Sequence, residues 1–176
     1  MRYTATAKWL HWIVAALVIA NLALGLWMVG LPGITPTKLR AFNWHKWVGV
    51  TVFVLATLRL LWRLFHAPPP PPDAMRGWER RAAQASHGLL YLLLFALPLS
   101  GYFYSLSTGY PVVWFGVLPL PVAMGPDPAL KPVLVALHHV LAWTMLLLVA
   151  VHAAAAWKHH LVDRDDVLRR MLPHRR

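Results

Sequence analysis

The chain has 176 residues, of which 59% are hydrophobic and only 13% are charged. A soluble domain of this size needs a more polar surface, so the composition predicts an integral membrane protein. Cysteine is absent, which excludes disulfides, iron–sulfur clusters, thiolate zinc sites and cysteine-attached heme. The formal net charge of +11 does not indicate nucleic-acid binding, because no separate soluble domain presents a basic face.

Four apolar segments are each long enough to cross a bilayer, which takes about 20 helical residues. The first covers about residues 9–29 and is too long and too rich in flanking Trp for a signal peptide. The second covers about 44–65, the third about 85–105 with Pro98 as an expected kink, and the fourth about 132–157. The whole chain is therefore predicted to form one all-α domain, a transmembrane four-helix bundle.

The connections between these spans differ in composition. LPGITPTK is a short, turn-rich loop. HAPPPPPDAMRGWERRAAQ contains five consecutive prolines, which is typical of a short extended spacer, with a proline-recognition ligand as the alternative. Residues 108–131 combine prolines with apolar side chains, and we expect this loop to lie at the membrane interface or to fold back over a helix end.

Lysine and arginine are distributed unevenly among the connections. The N-terminus, the connection between the second and third spans with its flanking helix end, and the C-terminal tail carry 13 of the 17 basic residues. The other two loops carry only Lys38, Arg40, Lys46 and Lys131. The positive-inside rule then predicts that both termini are cytoplasmic, an N-in/C-in topology.

Histidines recur near the ends of the spans, at two depths. In the predicted topology the outer group is His45, His138 and His139, and the inner group is His11, His87 and His152. The fourth span contributes to both groups, since its two histidines 14 residues apart share one helix face at a separation of roughly 21 Å. A single histidine near a helix end is most often an interfacial residue, but two matched layers indicate function.

Paired imidazoles at one depth suit a planar metal macrocycle gripped from both sides, a bis-His heme. Zinc and copper fit less well, because no carboxylate, thiolate or compact His triad lies nearby in sequence. Arg59 and Arg63 are one turn apart near the inner end of the second span and are candidate partners of heme propionates, or else they extend toward lipid headgroups. Four glycines allow close approach of a porphyrin or of a neighbouring helix: Gly25, Gly49, Gly88 and Gly101.

The sequence resembles the bacterial cytochrome b561 family, four-helix heme b proteins of the inner membrane. The resemblance rests on AKWLHW in the first span, NWHKWVGV and RLLWRL in the second, and SHGLLYLLLFALPLSGY in the third. LHHVLAW and VHAAAAWKHH in the fourth span carry its most specific part, and the basic ending LRRMLPHRR is similar too. Related modules are membrane cytochrome subunits of some hydrogenases and formate dehydrogenases.

This resemblance implies two hemes b and a set of axial ligands. The outer heme would be held by His45 and His138, and the inner heme by His11 and His152. His139 is the alternative outer ligand, because it is next to the implied one. For the inner heme the rival is His87.

The resemblance also implies outer-sphere electron transfer, since two histidines leave no open position on either iron. It places ubiquinone near the cytoplasmic end, where His87, His152, Lys158 and His159 gather. The tandem pair His159 and His160 matches a segment near a quinone, and a solvated pair at the membrane surface is the alternative. No catalytic residue is identified.

Some members of the family are described as superoxide oxidases, which pass an electron from periplasmic superoxide to ubiquinone. Lys38, Arg40 and Lys46 would attract such an anion. We therefore expect a superoxide:ubiquinone oxidoreductase of the bacterial inner membrane. The alternatives are a cytochrome b subunit or quinol-linked carrier for another periplasmic redox partner, and a heme-binding sensor without turnover. A heme-free transporter is disfavoured, because the spans contain no acidic residue.

Overall fold

The computed structural model describes residues 3–72 and 75–172. Within these ranges the chain forms five helices and one small β-hairpin. The elements in chain order are α1 (Ala5–Val29), α2 (Pro36–Phe65), α3 (Gly77–Ser107), β1 (Val113–Trp114), β2 (Leu118–Pro119), α4 (Lys131–Leu161) and α5 (Val167–Met171). Helices α1 to α4 are each long and apolar enough to span a membrane, and the predicted all-α membrane bundle is confirmed.

Each of the four long helices contains one predicted span and is longer than it. Helices α2 and α3 begin eight residues before the predicted spans 44–65 and 85–105. The predicted spans count only apolar residues, whereas backbone hydrogen bonding continues through polar flanks that extend beyond the hydrocarbon. Helix α3 also continues through Pro98 without a break.

Local sequence explains where the first helices start. The Thr4 hydroxyl accepts a hydrogen bond from the backbone N–H of Ala7, and the Thr35 hydroxyl accepts one from Lys38. Pro36 follows Thr35 at the first position of α2, where its missing N–H costs no helical hydrogen bond. In α3, the Glu79 carboxylate accepts the backbone N–H of the N-cap residue at 3.0 Å.

Consecutive helices pack side by side, α1 on α2, α2 on α3 and α3 on α4. Their shared core consists of Val14, Val18, Val52, Ala56, Leu93, Leu94 and Met145. Met145 lies on α4 seven residues from His138 and seven from His152. The core is therefore an apolar layer halfway between the two levels at which the histidines were expected.

One end of the bundle brings together the start of α1, the end of α2 and helix α5. The Trp62 indole donates to the Thr4 hydroxyl at 3.0 Å, and the Trp12 indole donates to the Met171 carbonyl at 2.9 Å. The first and last described residues thus lie at the same end, as an even number of spans requires. The side of the membrane on which this end lies stays a prediction, and Arg2, Arg175 and Arg176 of the basic count lie outside the described residues.

The connection between α2 and α3 has no regular secondary structure over residues 67–72, as expected of a proline spacer. The Pro70 carbonyl accepts a hydrogen bond from Arg170 at 2.6 Å, which ties this segment to α5. Asp73 and Ala74, within the same predicted spacer, lie outside the described residues.

At the opposite end, residues 108–131 fold back over α2 and α3. The indole of Trp47 donates to the Val113 carbonyl at 2.7 Å, and the indole of Trp114 donates to the Thr51 hydroxyl at 3.2 Å. The Tyr102 hydroxyl donates to the Pro121 carbonyl. Of the two arrangements expected for this loop, the fold-back over a helix end is present.

The apolar core allows a prediction about the stability of the protein. Leu93 is buried in the core, whereas its neighbour Leu92 is exposed on the outer surface of α3. We expect Leu93→Ala to destabilise the protein by about 2–5 kcal/mol, because the lost side chain leaves a cavity in the bundle. Leu92→Ala removes the same atoms from the surface and should have little effect. Denaturation of both variants in mild detergent measures the difference, and equal stabilities would contradict the assigned core.

Candidate functional site

The imidazoles of His45 on α2 and His138 on α4 face each other across the bundle. Their ring centroids are 6.1 Å apart and their planes are inclined by 85°. A metal–imidazole bond is about 2 Å long and the ring centre lies about 1 Å beyond the nitrogen, so two rings on opposite sides of one metal ion have centroids about 6 Å apart. The observed spacing fits a metal ion held between the two rings.

Ser100 of α3 determines which nitrogen of His138 carries the proton. Its hydroxyl donates to the Leu97 carbonyl at 2.8 Å and lies 2.9 Å from Nδ1 of His138. Because the only hydroxyl hydrogen is already donated, the oxygen must accept from Nδ1–H. Nε2 is then left with its lone pair free, which is the form that binds a metal.

Two glycines make room for these rings. A Cβ atom on Gly101 would lie 2.9 Å from Cε1 of His138, and a Cβ on Gly25 would lie 3.1 Å from Cε1 of His45. Of the other two glycines, Gly49 is next to the Asn21 side chain, and a Cβ on Gly88 would meet only open space. Close approach to a functional ring therefore explains Gly25 and Gly101, and it does not explain Gly88.

Buried polar atoms near this outer pair lack partners within the described part of the chain. These are Nδ1 of His45 and Oδ1 of Asn21, which lies one turn before Gly25 on α1. A buried polar group without a partner is costly and calls for an explanation. These two atoms lie on the α1 side of His45, so the imidazole spacing and the glycine clearances are what fit a prosthetic group bound between α2 and α4.

Three histidines meet at the inner level of the bundle. The His152 ring lies 6.3 Å from that of His11, with planes inclined by 69°, and 5.4 Å from that of His87, with planes inclined by 67°. The first distance fits two rings on opposite sides of one metal ion, and the second is shorter than this arrangement requires. The geometry therefore favours His11 over His87 as the partner of His152, while the His87 ring contacts that of His152.

The structure separates His139 from its neighbour His138. His139 is exposed on the outer surface of α4, whereas His138 faces the bundle interior. Adjacent residues on a helix point about 100° apart, so only one of the two can face the interior. This orientation favours His138 for the outer pair.

Positive charge surrounds the inner histidines. The guanidinium groups of Arg59 and Arg63 lie 5.2 and 5.5 Å from the centre of the Tyr91 ring, within the range of a cation–π interaction. Lys8 is also buried, at 8% exposure, one turn before His11. Sequence reasoning missed Lys8, because a lysine before an apolar run is expected to lie at the membrane surface.

Beyond the inner histidines, ion pairs connect the end of α4 to its neighbours. The ammonium group of Lys158 lies 2.7 Å from the Glu79 carboxylate and 2.8 Å from that of Asp163. Nδ1 of His159 lies 2.7 Å from Asp165 and 3.1 Å from Asp163, and its side chain is only 12% exposed. His159 is therefore a positioned, partly buried side chain, which differs from the solvated alternative.

The carboxylate of Asp165 has two separate roles in this cluster. Its Oδ1 accepts the backbone N–H of Val167 at the start of α5, and its Oδ2 pairs with His159. The next residue, Asp166, forms an ion pair with Arg170 at 2.8 Å, and the hydrogen bond from Arg170 holds the pKa of Asp166 below its ordinary value.

Sequence reasoning overlooked these carboxylates, although composition contained a signal. The chain has only six acidic residues. Four of them are at this end of the bundle: Glu79, Asp163, Asp165 and Asp166.

The basic residues predicted at the opposite end are in different environments. Lys38 donates to the Leu31 carbonyl at 2.6 Å, and Arg40 is exposed along an open groove between α1 and α2. Lys46 is next to His45 in sequence and is half-buried. These three residues lie near the first turns of α2, on the same side of the apolar layer as the outer pair.

Comparison with known proteins identifies the family. Residues 2–174 match the family of prokaryotic cytochrome b561 proteins. Cytochrome b561 homolog 2 of Escherichia coli (strain K12) is 39% identical over 171 residues, which cover 97% of this chain and 91% of the relative. Cytochrome b561 homolog 1 of the same organism is 32% identical over 183 residues, with 99% of both chains covered.

A third relative is the probable superoxide oxidase CybB of Yersinia pestis. It is 30% identical over 179 residues, which cover 99% of this chain and 98% of the relative. The matches extend over nearly the whole chain and agree with the four-helix fold. The chain belongs to the prokaryotic cytochrome b561 family of heme b membrane electron-transfer proteins.

Proposed function

We propose that this chain is a superoxide:ubiquinone oxidoreductase of the bacterial inner membrane, with both termini in the cytoplasm. Electrons enter at the outer histidine pair and leave at the inner end to ubiquinone. The observation that carries this proposal is the pair of facing imidazoles at each of two levels, with centroids 6.1 and 6.3 Å apart. The apolar core between these levels separates two sites that differ in their surroundings.

In this proposal each facing pair holds one heme b, His45 with His138 outside and His11 with His152 inside. Heme b held by two histidines takes up and releases one electron at a time without binding oxygen at the iron. The Ser100 hydrogen bond supports the assignment of His138, because it keeps the ligating nitrogen unprotonated. Arg59 and Arg63 are proposed to pair with propionates near the inner level.

The outer end of the bundle carries positive charge that would attract an anionic substrate. Superoxide carries one negative charge, and Lys38, Arg40 and Lys46 make the first turns of α2 basic. Such a field raises the rate of encounter with a small anion and loses strength as salt is added. The name of the Yersinia relative, a probable superoxide oxidase, agrees with this substrate.

Ubiquinone is proposed to bind at the inner end, close to His87 and His159. Two superoxide anions release two electrons and become two molecules of oxygen, and one quinone takes up these electrons with two protons to become a quinol. The arrangement suits proton delivery by His159, because its imidazolium form would donate Nδ1–H to Asp165 and could give the proton on Nε2 to a quinone oxygen. The carboxylates of Asp163 and Asp165 connect this imidazole to cytoplasmic water.

A quinol-linked carrier for another redox partner is the second candidate. The relative with 39% identity is named only as a cytochrome b561 homolog, whereas the relative named for superoxide is 30% identical. Both candidates use the same hemes and the same quinone site. They differ only in the outer electron donor.

The heme assignment is tested by His45→Ala, with His139→Ala as the matched control on the same side of the bundle. We expect His45→Ala to retain one heme b per chain and His139→Ala to retain two, because His139 is exposed and faces away from the pair. Pyridine hemochrome quantification on protein purified in mild detergent measures both. Two hemes in His45→Ala, or one heme in the unaltered chain, would contradict the assignment.

The function is tested by adding superoxide to the purified protein in the presence of ubiquinone. We expect quinol to form with two superoxide anions consumed per quinol, at a rate that falls as ionic strength rises. The control is the same mixture without protein. Heme reduction by quinol without any superoxide-driven quinol formation would support the carrier function and reject the oxidase.

The proton-delivery role is tested by Asp165→Asn, with Asp166→Asn as the control. Asparagine keeps the oxygen that accepts from Val167 but removes the negative charge beside Nδ1 of His159. Because general acid catalysis typically contributes about 10²–10⁴-fold, we expect quinol formation to fall by about 10-fold or more in Asp165→Asn. Heme reduction by superoxide should be unchanged, and Asp166→Asn should behave like the unaltered protein. An equal loss in both variants would indicate damage to α5 instead.

A further inference from the structure

The hairpin between α3 and α4 has an unusually apolar surface. Residues 112–124 read VVWFGVLPLPVAM, without a charged side chain, and we call this segment the outer hairpin. Val117 is 83% exposed, Val122 65% and Leu118 53%. A contiguous apolar surface of this kind marks a contact with lipid or with another protein, because water would be an unfavourable neighbour.

The position of the outer hairpin along α2 indicates how deep the hairpin lies in the membrane. Its first strand contacts Trp47 and Thr51, which lie about 16 and 22 Å from the start of α2 at 1.5 Å per residue. Trp47 also packs against Trp44, with ring centroids 5.2 Å apart, and such Trp residues are enriched at membrane interfaces. The hairpin therefore lies beside the membrane-spanning part of α2, below the polar residues that open this helix.

The backbone of the outer hairpin is suited to an apolar environment, in which each unpaired N–H or C=O is costly. Backbone hydrogen bonds join Gly116 to Val113, Val117 to Trp114 and Leu120 to Val112. The Val113 carbonyl also accepts the Trp47 indole N–H. Prolines have no N–H to satisfy, and three of them flank or lie within the strands: Pro111, Pro119 and Pro121.

Aromatic contacts fix the orientation of the outer hairpin relative to α2. Phe115 and Gly116 have φ of 51° and 72°, a left-handed conformation that is unfavourable for a bulky residue. The Phe115 ring compensates by packing against Trp47 and Trp114, each with centroids 5.5 Å apart. Because the inner face is held against α2 in this way, the exposed residues Val117 and Leu118 point away from the bundle.

We propose that the outer hairpin is inserted into the lipid leaflet at the end of the bundle opposite the termini. Its exposed side chains contact acyl chains and continue the lipid-facing surface of α2. Lipid is favoured over a protein partner because the hairpin shares its depth with the interfacial Trp residues and pairs the backbone N–H groups of Gly116, Val117 and Leu120 internally. The proposal concerns anchoring, and it does not depend on the electron donor or acceptor.

The absence of cysteine allows a direct test by photo-crosslinking. A benzophenone maleimide is attached to Val117→Cys in protein reconstituted into phosphatidylcholine–phosphatidylglycerol vesicles, and the products of irradiation are analysed by mass spectrometry. Leu147→Cys, exposed in the middle of α4, is the control for lipid contact. Ala129→Cys, between the charged Asp127 and Lys131, is the control for water contact. Val122→Cys is a second hairpin site in case Val117→Cys is poorly folded.

We expect phospholipid adducts at Val117→Cys with a yield near that of Leu147→Cys and several-fold above that of Ala129→Cys. A yield as low as that of Ala129→Cys at both hairpin sites would overturn the proposal and place the hairpin in water. Crosslinks between two chains in place of lipid adducts would also overturn it, because a second copy would then cover the hairpin.

Discussion

Imidazole rings that face each other inside an apolar bundle constrain everything around them. Each ring needs a neighbouring helix that comes close without filling the space between the pair, and glycine meets this need at positions 25 and 101. Each ring also needs a defined proton position, which the Ser100 hydroxyl supplies to His138. The outer level is therefore specified by residues of all four long helices, although only two of them carry its histidines.

The two ends of the bundle carry different sets of charged side chains. At the end away from the termini, the first turns of α2 carry basic side chains, and aromatic side chains pack beside the outer pair. At the other end, carboxylates alternate with Lys158 and His159 in an ion-pair network that connects α3, α4 and the segment before α5. In the proposed function, attraction of an anion and supply of protons would take place on opposite sides of the apolar core, whose described residues are all uncharged.

The four spans and the two levels of histidines could be predicted from the sequence. Hydropathy located four spans, and the 14-residue spacing of His138 and His152 placed one ring at each level, because helix periodicity is fixed by the backbone. Roles that depend on tertiary contacts could not be predicted from the sequence. Ser100 and Asp165 have no distinctive local pattern, since Ser100 meets His138 on another helix and Asp165 meets His159 across a turn. The fold-back of the outer hairpin was expected but its two strands were not predicted, because they are short and are held against α2 by indole hydrogen bonds rather than by a strand pattern.

Helix α4 has one consequence for how such a chain can change during evolution. A single residue inserted or deleted between His138 and His152 would rotate one imidazole by about 100° relative to the other and move it off the shared face. The same change in the proline spacer or between the hairpin and α4 would alter no helix phase. Length variation is thus tolerable in the connections but not between His138 and His152, because this segment of α4 fixes the distance and the relative orientation of the two imidazoles.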